Sequence, residues 1–399
     1  MIIKSNKLAL LRTQSHAKNA GMNVSVRQSL LLLFVAGLSP RVSCAQSVST
    51  NPVGYVQLAC SGTGDTTVSV PFTQPAAYVG LVASVSGSTI TVSGTTGWSA
   101  NQFVYSGSGT PTYYAQFGPN SSGTDPLDGL NFTIAANGTN TITISLNGAT
   151  IDGSQGGAQV SVGSSVSIVP YWTLNTLFPP SASGTSFYPS TGTLARQRGT
   201  EILFPDYVST GINLAPPASS TFYFYNYWRL AGDSSGAYYG DTPISPTGYV
   251  IVRNPASAGT TLTTLGNVAM GNVSTYLATS SSTAQDNAVS IMRPVSTSLS
   301  NLGLIVNSGT SPSSPFQAST GFLARQRSDQ LMVSGTTPGL TSQSASAVYY
   351  FYNGNWYLAG DTTNTIQNST MLPVGVGLTI RKVQTSNGSS IFWQNPQAY

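Results

Sequence analysis

Short runs of β-branched residues between clusters of Gly, Ser and Asn limit this chain to a fold built from strands. Apolar and polar residues that alternate with period two are typical of strands, and no long stretch holds the 3.6-residue period of an amphipathic helix. Charged residues, which include good helix formers, make up only 7% of the chain. The runs include Thr89–Val92, Asn140–Ile144, Val160–Pro170, Tyr249–Asn254 and Leu378–Arg381. Their spacing predicts an all-β protein of tandem small modules that are sandwich-like or barrel-like.

A repeat organises the second half of the chain. Segment 190–198 has the sequence STGTLARQR and segment 319–327 has STGFLARQR, which differs at one position of nine. Two more pairs follow in the same order: FYNYWRLAGD (224–233) with FYNGNWYLAGD (351–361), and YVIVRN (249–254) with GLTIRK (377–382). The common order predicts an internal duplication. We expect three modules, at 46–172, 173–285 and 286–399, of which the last two are the copies.

Two smaller patterns accompany the repeat. A short echo links VSVPF at 68–72, VSIVP at 166–170 and VSIMRP at 289–294, but it is too brief to define a third copy. The later copy carries Asn353-Gly354 between two strand-like runs, a pair that favours a type I′ hairpin turn. The earlier copy has Asn226-Tyr227 there, so we expect a different turn.

The first 45 residues have the features of an export signal. They hold six Lys or Arg residues and no Asp or Glu, and an apolar core runs from Leu30 to Leu38. Small residues at Ser43 and Ala45 favour cleavage after Ala45. Met22 is an alternative start, because the segment from Met22 to Ala45 is a complete signal peptide by itself. The apolar core is shorter than the roughly 20 residues that span a bilayer, so we expect no transmembrane helix.

Removal of this leader excludes several chemistries. From Gln46 onward the chain has nine basic and eleven acidic residues, a net charge of −2, so we expect no nucleic-acid partner. The mature chain keeps no His, and Cys60 is its single cysteine, which we expect in the core. We therefore predict no cofactor, no metal site of His and Cys, and no assigned catalytic residue. Asp125 and Asp128 are interpreted as turn residues, with a calcium site as the alternative.

The repeated segment supplies two arginine pairs. Arg196 and Arg198 have spacing two, as do Arg325 and Arg327, which would place both members of a pair on one side of a strand. We expect ion pairs with the matched Asp233 and Asp361. A contact with an anionic ligand or partner is the alternative. Lys382 is expected to be a solvated strand residue.

The aromatic hairpins supply the other candidate binding residues, which are Tyr223, Tyr225, Trp228, Tyr350, Tyr352 and Trp356. Alternation places the two tyrosines of each copy on one face of a strand. Burial in a core is the first interpretation, because aromatic side chains dominate core packing. A platform that stacks against sugars is the alternative, and the exposure of these rings distinguishes the two.

Several segments together resemble a known family. They are STNPVGYVQL at 49–58, VSVPFTQPAAYVG at 68–80, VSIVPYWTLNTLFP at 166–179 and the closing FWQNP at 392–396, with the two-copy tail between the last two. In these segments the chain resembles an uncharacterised family of exported bacterial β-rich proteins of similar length. The resemblance implies secretion and β-rich modules. It transfers no site, because the family has no assigned activity.

We therefore predict an exported, non-enzymatic structural or adhesive protein, on the outer surface or outside the cell, with the periplasm as the alternative location. Low charge with abundant Ser, Thr and Gly suits a protease-resistant surface layer. The alternative functions are carbohydrate binding through the aromatic hairpins and a hydrolase that depends on aspartates. An outer-membrane barrel is disfavoured, because such strands are roughly ten residues long. The expected partners are a second copy of the chain or a surface glycan.

Overall fold

The computed structural model describes residues 52–120, 127–146, 160–255, 259–306, 314–335, 340–386 and 391–396. The predicted leader, residues 1–45, lies outside the described residues. The strands of the first half are β1 Val53–Cys60, β2 Gly64–Val68, β3 Tyr78–Ser86, β4 Thr89–Val92, β5 Tyr113–Phe117, β6 Asn131–Asn137, β7 Thr141–Ile144, β8 Ser165–Pro170, β9 Trp172–Thr173, β10 Glu201–Leu203, β11 Thr221–Tyr225 and β12 Tyr227–Leu230. A short helix, α1 Leu174–Leu177, follows β9.

The strands of the second half are β13 Pro243–Ile244, β14 Val250–Asn254, β15 Thr260–Asn267, β16 Val273–Leu277, β17 Gln285–Ser290, β18 Thr297–Ser298, β19 Gln330–Ser334, β20 Ala345–Tyr352, β21 Asn355–Leu358, β22 Met371–Leu372, β23 Gly377–Lys382 and β24 Ile391–Asn395. All five runs singled out in the sequence contain a strand, and the all-β prediction is confirmed.

Strands β3 to β8 form a closed barrel of six antiparallel strands in the order β3-β4-β7-β6-β5-β8. Its interior is filled by alternate residues of the strands, among them Ile90, Ile142 and Ile168, which are fully buried. Trp98 makes edge-on contacts with Tyr78 and Phe103 at centroid distances of 4.7 and 5.1 Å. The barrel is therefore a packed core and not a pore.

Two five-stranded antiparallel sheets make up most of the remainder. The first sheet has the order β12-β11-β10-β14-β2, and the second has β21-β20-β19-β23-β17. The two orders correspond strand for strand. One turn of 3₁₀ helix with the sequence Ala-Arg-Gln precedes the central strand in both, at Ala195–Gln197 and Ala324–Gln326. The repeated motifs thus occupy matching places in the two sheets.

A two-stranded ribbon packs on the inner face of each sheet. The ribbon β1-β15 contributes Cys60 and Leu262 to the core of the first sheet. The ribbon β16-β24 contributes Leu277 and Trp393 to the core of the second. Each sheet with its ribbon is a small two-layer unit with a core of its own, as a sandwich-like module requires.

The strand pairing divides the chain differently from the expected modules 46–172, 173–285 and 286–399. Strands β1 and β2 precede the barrel in sequence but belong to the first sheet and its ribbon, so the barrel is an insertion into that unit. The second unit begins with β16 at Val273, before the expected boundary at 286. The echoed segments 68–72 and 289–294 begin at the ends of β2 and β17. These two strands are the edge strands at the same position in the two sheet orders.

The hairpin turns are as predicted. Asn353 and Gly354 both have positive φ, 45° and 81°, as a type I′ turn requires. In the earlier copy only Asn226 has positive φ, 64°, and Tyr227 already belongs to β12. Loss of the glycine has therefore changed the turn without changing the pairing of the two strands.

The two sheets differ at one buried polar position. Lys382 is buried and contacts the fully buried carboxylate of Asp329, and its Nζ also donates to the carbonyl of Pro315. The matching residues of the first sheet are Asn254 and Thr200, joined by a hydrogen bond of 2.7 Å. The expectation that Lys382 is a solvated strand residue is wrong. The alternation of side chains along β23 points Lys382 into the core. Asp329, which the local sequence does not mark as a partner, supplies the counter-charge that offsets the cost of burying the ammonium.

We expect Asp329→Asn to lower the free energy of unfolding by about 3–5 kcal/mol, because a buried ammonium loses its counter-charge. Urea unfolding followed by tryptophan fluorescence measures this loss. The double variant Asp329→Thr with Lys382→Asn copies the first sheet and should lose less than the sum of the two single variants. A loss below about 1 kcal/mol for Asp329→Asn, the range of an exposed pair, would contradict the buried pairing.

Cys60 lies in the core of the first sheet, as expected from the sequence, with 2% of its surface exposed. Burial raises the pKa of its thiol to about 11, from an ordinary value of 9.0. The thiol therefore stays protonated well above neutral pH. The raised pKa contributes stability that is lost as the pH rises from about 9 towards 11.

We expect Cys60 in the folded protein not to react with an aromatic disulfide reagent at pH 8, and to react fully in denaturant, because the thiolate is the nucleophile. The release of the coloured thiolate measures the reaction. Rapid reaction of the folded protein at pH 8 would show that the thiol is accessible.

Candidate functional site

The two repeated segments fold into the same loop, which we call the first arginine loop (190–198) and the second arginine loop (319–327). In each, the first arginine lies within one turn of 3₁₀ helix and the second arginine is the residue that ends it, so neither lies on a strand as expected. Spacing two therefore does not place a pair on one side. Arg196 and Arg325 are exposed, whereas Arg198 and Arg327 are half-buried.

A glutamine shapes each loop. Thr191 N–H donates to the carbonyl of Gln197 at 2.9 Å, and Gln197 Oε1 accepts from the N–H of Leu194 at 3.4 Å. In the second loop, Thr320 N–H donates to the carbonyl of Gln326 at 2.9 Å, and Gln326 Oε1 accepts from Leu323 N–H at 3.2 Å. These internal bonds replace strand pairing and fix the loop conformation, which explains why alternation misled the prediction.

Glycine leaves room for that glutamine side chain. A Cβ atom at Gly192 would collide with the Gln197 side-chain amide, and one at Gly321 would collide with that of Gln326. The glycine of each repeat thus allows close packing inside the loop.

The inner arginines hold the loops to the sheets. The guanidinium carbon of Arg198 lies 4.8 Å from the ring centroid of Tyr223, and Nη1 lies 3.1 Å from Oε1 of Glu201. Arg327 has the same 4.8 Å separation from the ring of Tyr350. A cation over an aromatic face stabilises by about 0.5–1 kcal/mol at such partly exposed places. Arg198 and Arg327 therefore tie their loops to their own sheets.

The expected partners Asp233 and Asp361 are elsewhere. Among the described residues neither carboxylate forms an ion pair, and each closes the turn after its hairpin. Asp233 accepts from the N–H and hydroxyl of Ser235, each at 2.8 Å. Asp361 accepts from the hydroxyl of Thr363 at 2.6 Å and from the N–H of Thr365 at 2.8 Å. The predicted Arg–Asp ion pairs are wrong, because local turn donors satisfy these carboxylates first.

Arg196 and Arg325 form no ion pair with any described carboxylate. Beside them, Leu194 and Leu323 are 50% and 52% exposed. Both loops therefore present an exposed leucine next to an exposed arginine, on a backbone fixed by its own hydrogen bonds. The sequence marked the arginines but not the leucines, although both are identical in the two loops.

The aromatic candidates are placed mainly in the cores. Trp228 and Trp356 are 0% and 2% exposed, and Tyr223 and Tyr350 are 3% and 1% exposed. Trp228 packs against Phe187 at 5.2 Å between ring centroids. The remaining two, Tyr225 and Tyr352, are half-buried. This burial favours the core interpretation over a stacking platform for sugars.

One residue distinguishes the loops. Phe322 replaces Thr193, is 37% exposed, and packs edge-on against Tyr352 and Tyr357 at 4.9 and 5.1 Å. In the first sheet Arg229 takes the place of Tyr357, with its guanidinium 4.1 Å from the ring centroid of Tyr227. The second arginine loop therefore has an aromatic flank where the first sheet has a further cation.

In the part of the chain that the structure describes, no three His, Cys, Asp or Glu side chains form a group that could hold a metal ion. Asp125 lies outside the described residues, and Asp128 accepts a hydrogen bond from Asn272 at 2.8 Å. Within the described ranges, no helix has the length and hydrophobicity that membrane crossing by a helix requires.

No family model, curated protein or solved structure matches this chain. The family resemblance inferred from the sequence stays a prediction.

The turn assignment of Asp361 can be tested by titration. Hydrogen bonds from Thr363 and Thr365 lower the pKa of this carboxyl to about 2, with the Thr363 hydroxyl as the largest cause. A lowered pKa in the folded state means stability that is present above about pH 4 and lost as the pH falls towards 2.

We expect Thr363→Val to raise the pKa of Asp361, measured by NMR of the side-chain carboxyl. Arg325→Gln should leave it unchanged, because the two groups are not paired. A rise in the pKa of Asp361 of similar size in Arg325→Gln would instead support the ion pair expected from the sequence.

Proposed function

We propose that this protein is an exported, non-enzymatic structural or adhesive protein that attaches to acidic groups on its partner through the two arginine loops. One observation carries the proposal. Leu194 with Arg196, and Leu323 with Arg325, are exposed and identical, although their side chains make no contribution to either core. Exposed positions that packing does not constrain are expected to keep the same residues in both loops if both loops contact the same kind of partner.

The other charges support a non-enzymatic role. General acid–base catalysis needs a titratable group that is accessible and tuned near the working pH. Here Asp329 is held by Lys382, whereas Asp65 and Asp286 are each held by an arginine. The aspartate-dependent hydrolase remains the less favoured alternative, because these carboxylates already have structural partners.

Export and duplication are part of the proposal. The first described strand starts at Val53, a few residues after the proposed cleavage at Ala45. The matching strand orders and loops support a common origin of the two sheets. Duplication would give each molecule two attachment points, and two weak contacts to one surface bind more tightly than one.

The test measures attachment of the fluorescently labelled mature chain, 46–399, to cells of the producing organism by flow cytometry. We expect the double variant Arg196→Gln, Arg325→Gln to lose about tenfold or more in attachment, and each single variant to lose less. Melting temperatures should stay unchanged, because the side chains are exposed.

The matched control is the double variant Arg196→Lys, Arg325→Lys, which keeps both charges and should keep most of the attachment. Raised salt should weaken binding of the unaltered chain, because contacts between exposed charges are screened. Attachment of the double glutamine variant at the level of the unaltered chain would overturn the proposal.

A further inference from the structure

A cleft of about 470 Å³ lies between the outer faces of the two five-stranded sheets. Its floor includes Thr67 and Tyr249 from the first sheet and Thr379 from the second. The hydroxyls of Tyr249 and Thr379 lie 3.4 Å apart, so the two sheets meet there. The volume is within the range of about 300–1,000 Å³ typical of small-molecule sites.

Reciprocal loops form the walls. Asp65 on β2 donates its N–H to the carbonyl of Leu340 and accepts from Ser342 N–H at 2.7 Å. Asp286 on β17 donates to the carbonyl of Gly211 and accepts from Asn213 N–H, also at 2.7 Å. Residues between β10 and β11 therefore bond to the edge strand β17 of the second sheet, and residues between β19 and β20 bond to the edge strand β2 of the first. The cleft is preformed by these bonds.

Three of the four charged residues that line the cleft, Asp65, Arg253 and Asp286, are held in ion pairs. The fourth, Asp206, instead accepts from the N–H groups of Val208 and Ser209. Arg253 holds Asp65 with two hydrogen bonds of 2.7 and 2.8 Å. Arg381 holds Asp286 with two bonds of 2.7 and 2.9 Å. An ionic ligand would have to compete with these bidentate pairs, whereas a neutral ligand would leave them intact.

Hydrogen-bonding capacity remains for such a ligand. A guanidinium has five N–H donors, and Arg253, with 29% of its side chain exposed, uses two of them on Asp65. The buried hydroxyl of Thr67 has no hydrogen-bond partner among the described residues. Hydroxyl groups, which both donate and accept, match this mixture of donors and acceptors. Ile251 and Met332 add apolar surface for the C–H face of a sugar ring.

We propose that this cleft binds a neutral saccharide, one or two sugar units of a glycan. The site is separate from the arginine loops and from the aromatic hairpins, and it does not depend on the attachment proposed above. The ligand lies between the Asp65–Arg253 and Asp286–Arg381 pairs and donates a hydroxyl to, or accepts from, Thr67.

The test is saturation-transfer NMR of the mature chain, 46–399, with neutral hexoses, N-acetylhexosamines and their disaccharides, and with uronic and sialic acids as charged comparisons. We expect transfer to at least one neutral sugar. Met332→Trp adds bulk to the lining and leaves the residues of both ion pairs unaltered, so it should weaken binding of that sugar by about tenfold or more.

Thr67→Val keeps the shape of the side chain and removes its hydroxyl, and it should weaken binding several-fold even if Met332→Trp fails to fold. The control, Arg196→Gln with Arg325→Gln, should bind as the unaltered chain does, so failure of this proposal and failure of the attachment proposal are distinguishable. The proposal is overturned if no neutral sugar binds, if only the charged sugars bind, or if binding survives in folded Met332→Trp and in Thr67→Val.

Discussion

The pairing of Arg253 with Asp65 fixes the arrangement on which the rest of the molecule depends. These residues are 188 positions apart, and the whole barrel lies between them in the chain. Two charge-assisted bonds in a partly buried place hold β2 against β14, which offsets part of the entropy lost in closing so long a loop. Arg381 and Asp286 make the same cross-strand pair in the second sheet.

The edge strands that these pairs fix also join the two sheets. Each carries the aspartate whose backbone and side chain bind the loop of the other sheet, so one residue serves both the pairing within a sheet and the contact between sheets. Arg293 adds a further tie. It is fully buried and donates to the carbonyls of Ala269, Gly271 and Asn395. These bonds join the segment between β15 and β16 to the last strand, β24. The cleft is a consequence of this reciprocal contact.

The repeated arginine loops are more alike between the two sheets than the buried position at Lys382 and Asn254. Lys382 with Asp329 replaces Asn254 with Thr200 inside the core, yet the Leu-Ala-Arg-Gln-Arg sequence of the arginine loops is unchanged. Packing tolerates such exchanges if both partners change together. Within that sequence the glutamine and the second arginine have packing causes, but the exposed leucine and the first arginine have none. This contrast singles out the outer arginines as the candidate site.

The sequence by itself determined the features that depend on neighbours along the chain: the strand class, the run Thr89–Val92, the Asn353-Gly354 turn and the matching order of the repeated motifs. It also identified the arginines and aromatic residues, but not which would be exposed. Only the tertiary structure decided the partners. The ion-pair partners of Asp65 and Lys382 are 50 or more positions away in the chain, and the cleft is formed by two separate sheets. Lys382 and Asp329, for example, are 53 positions apart. Strand alternation sets which way a side chain points, but long-range pairing sets what it meets there.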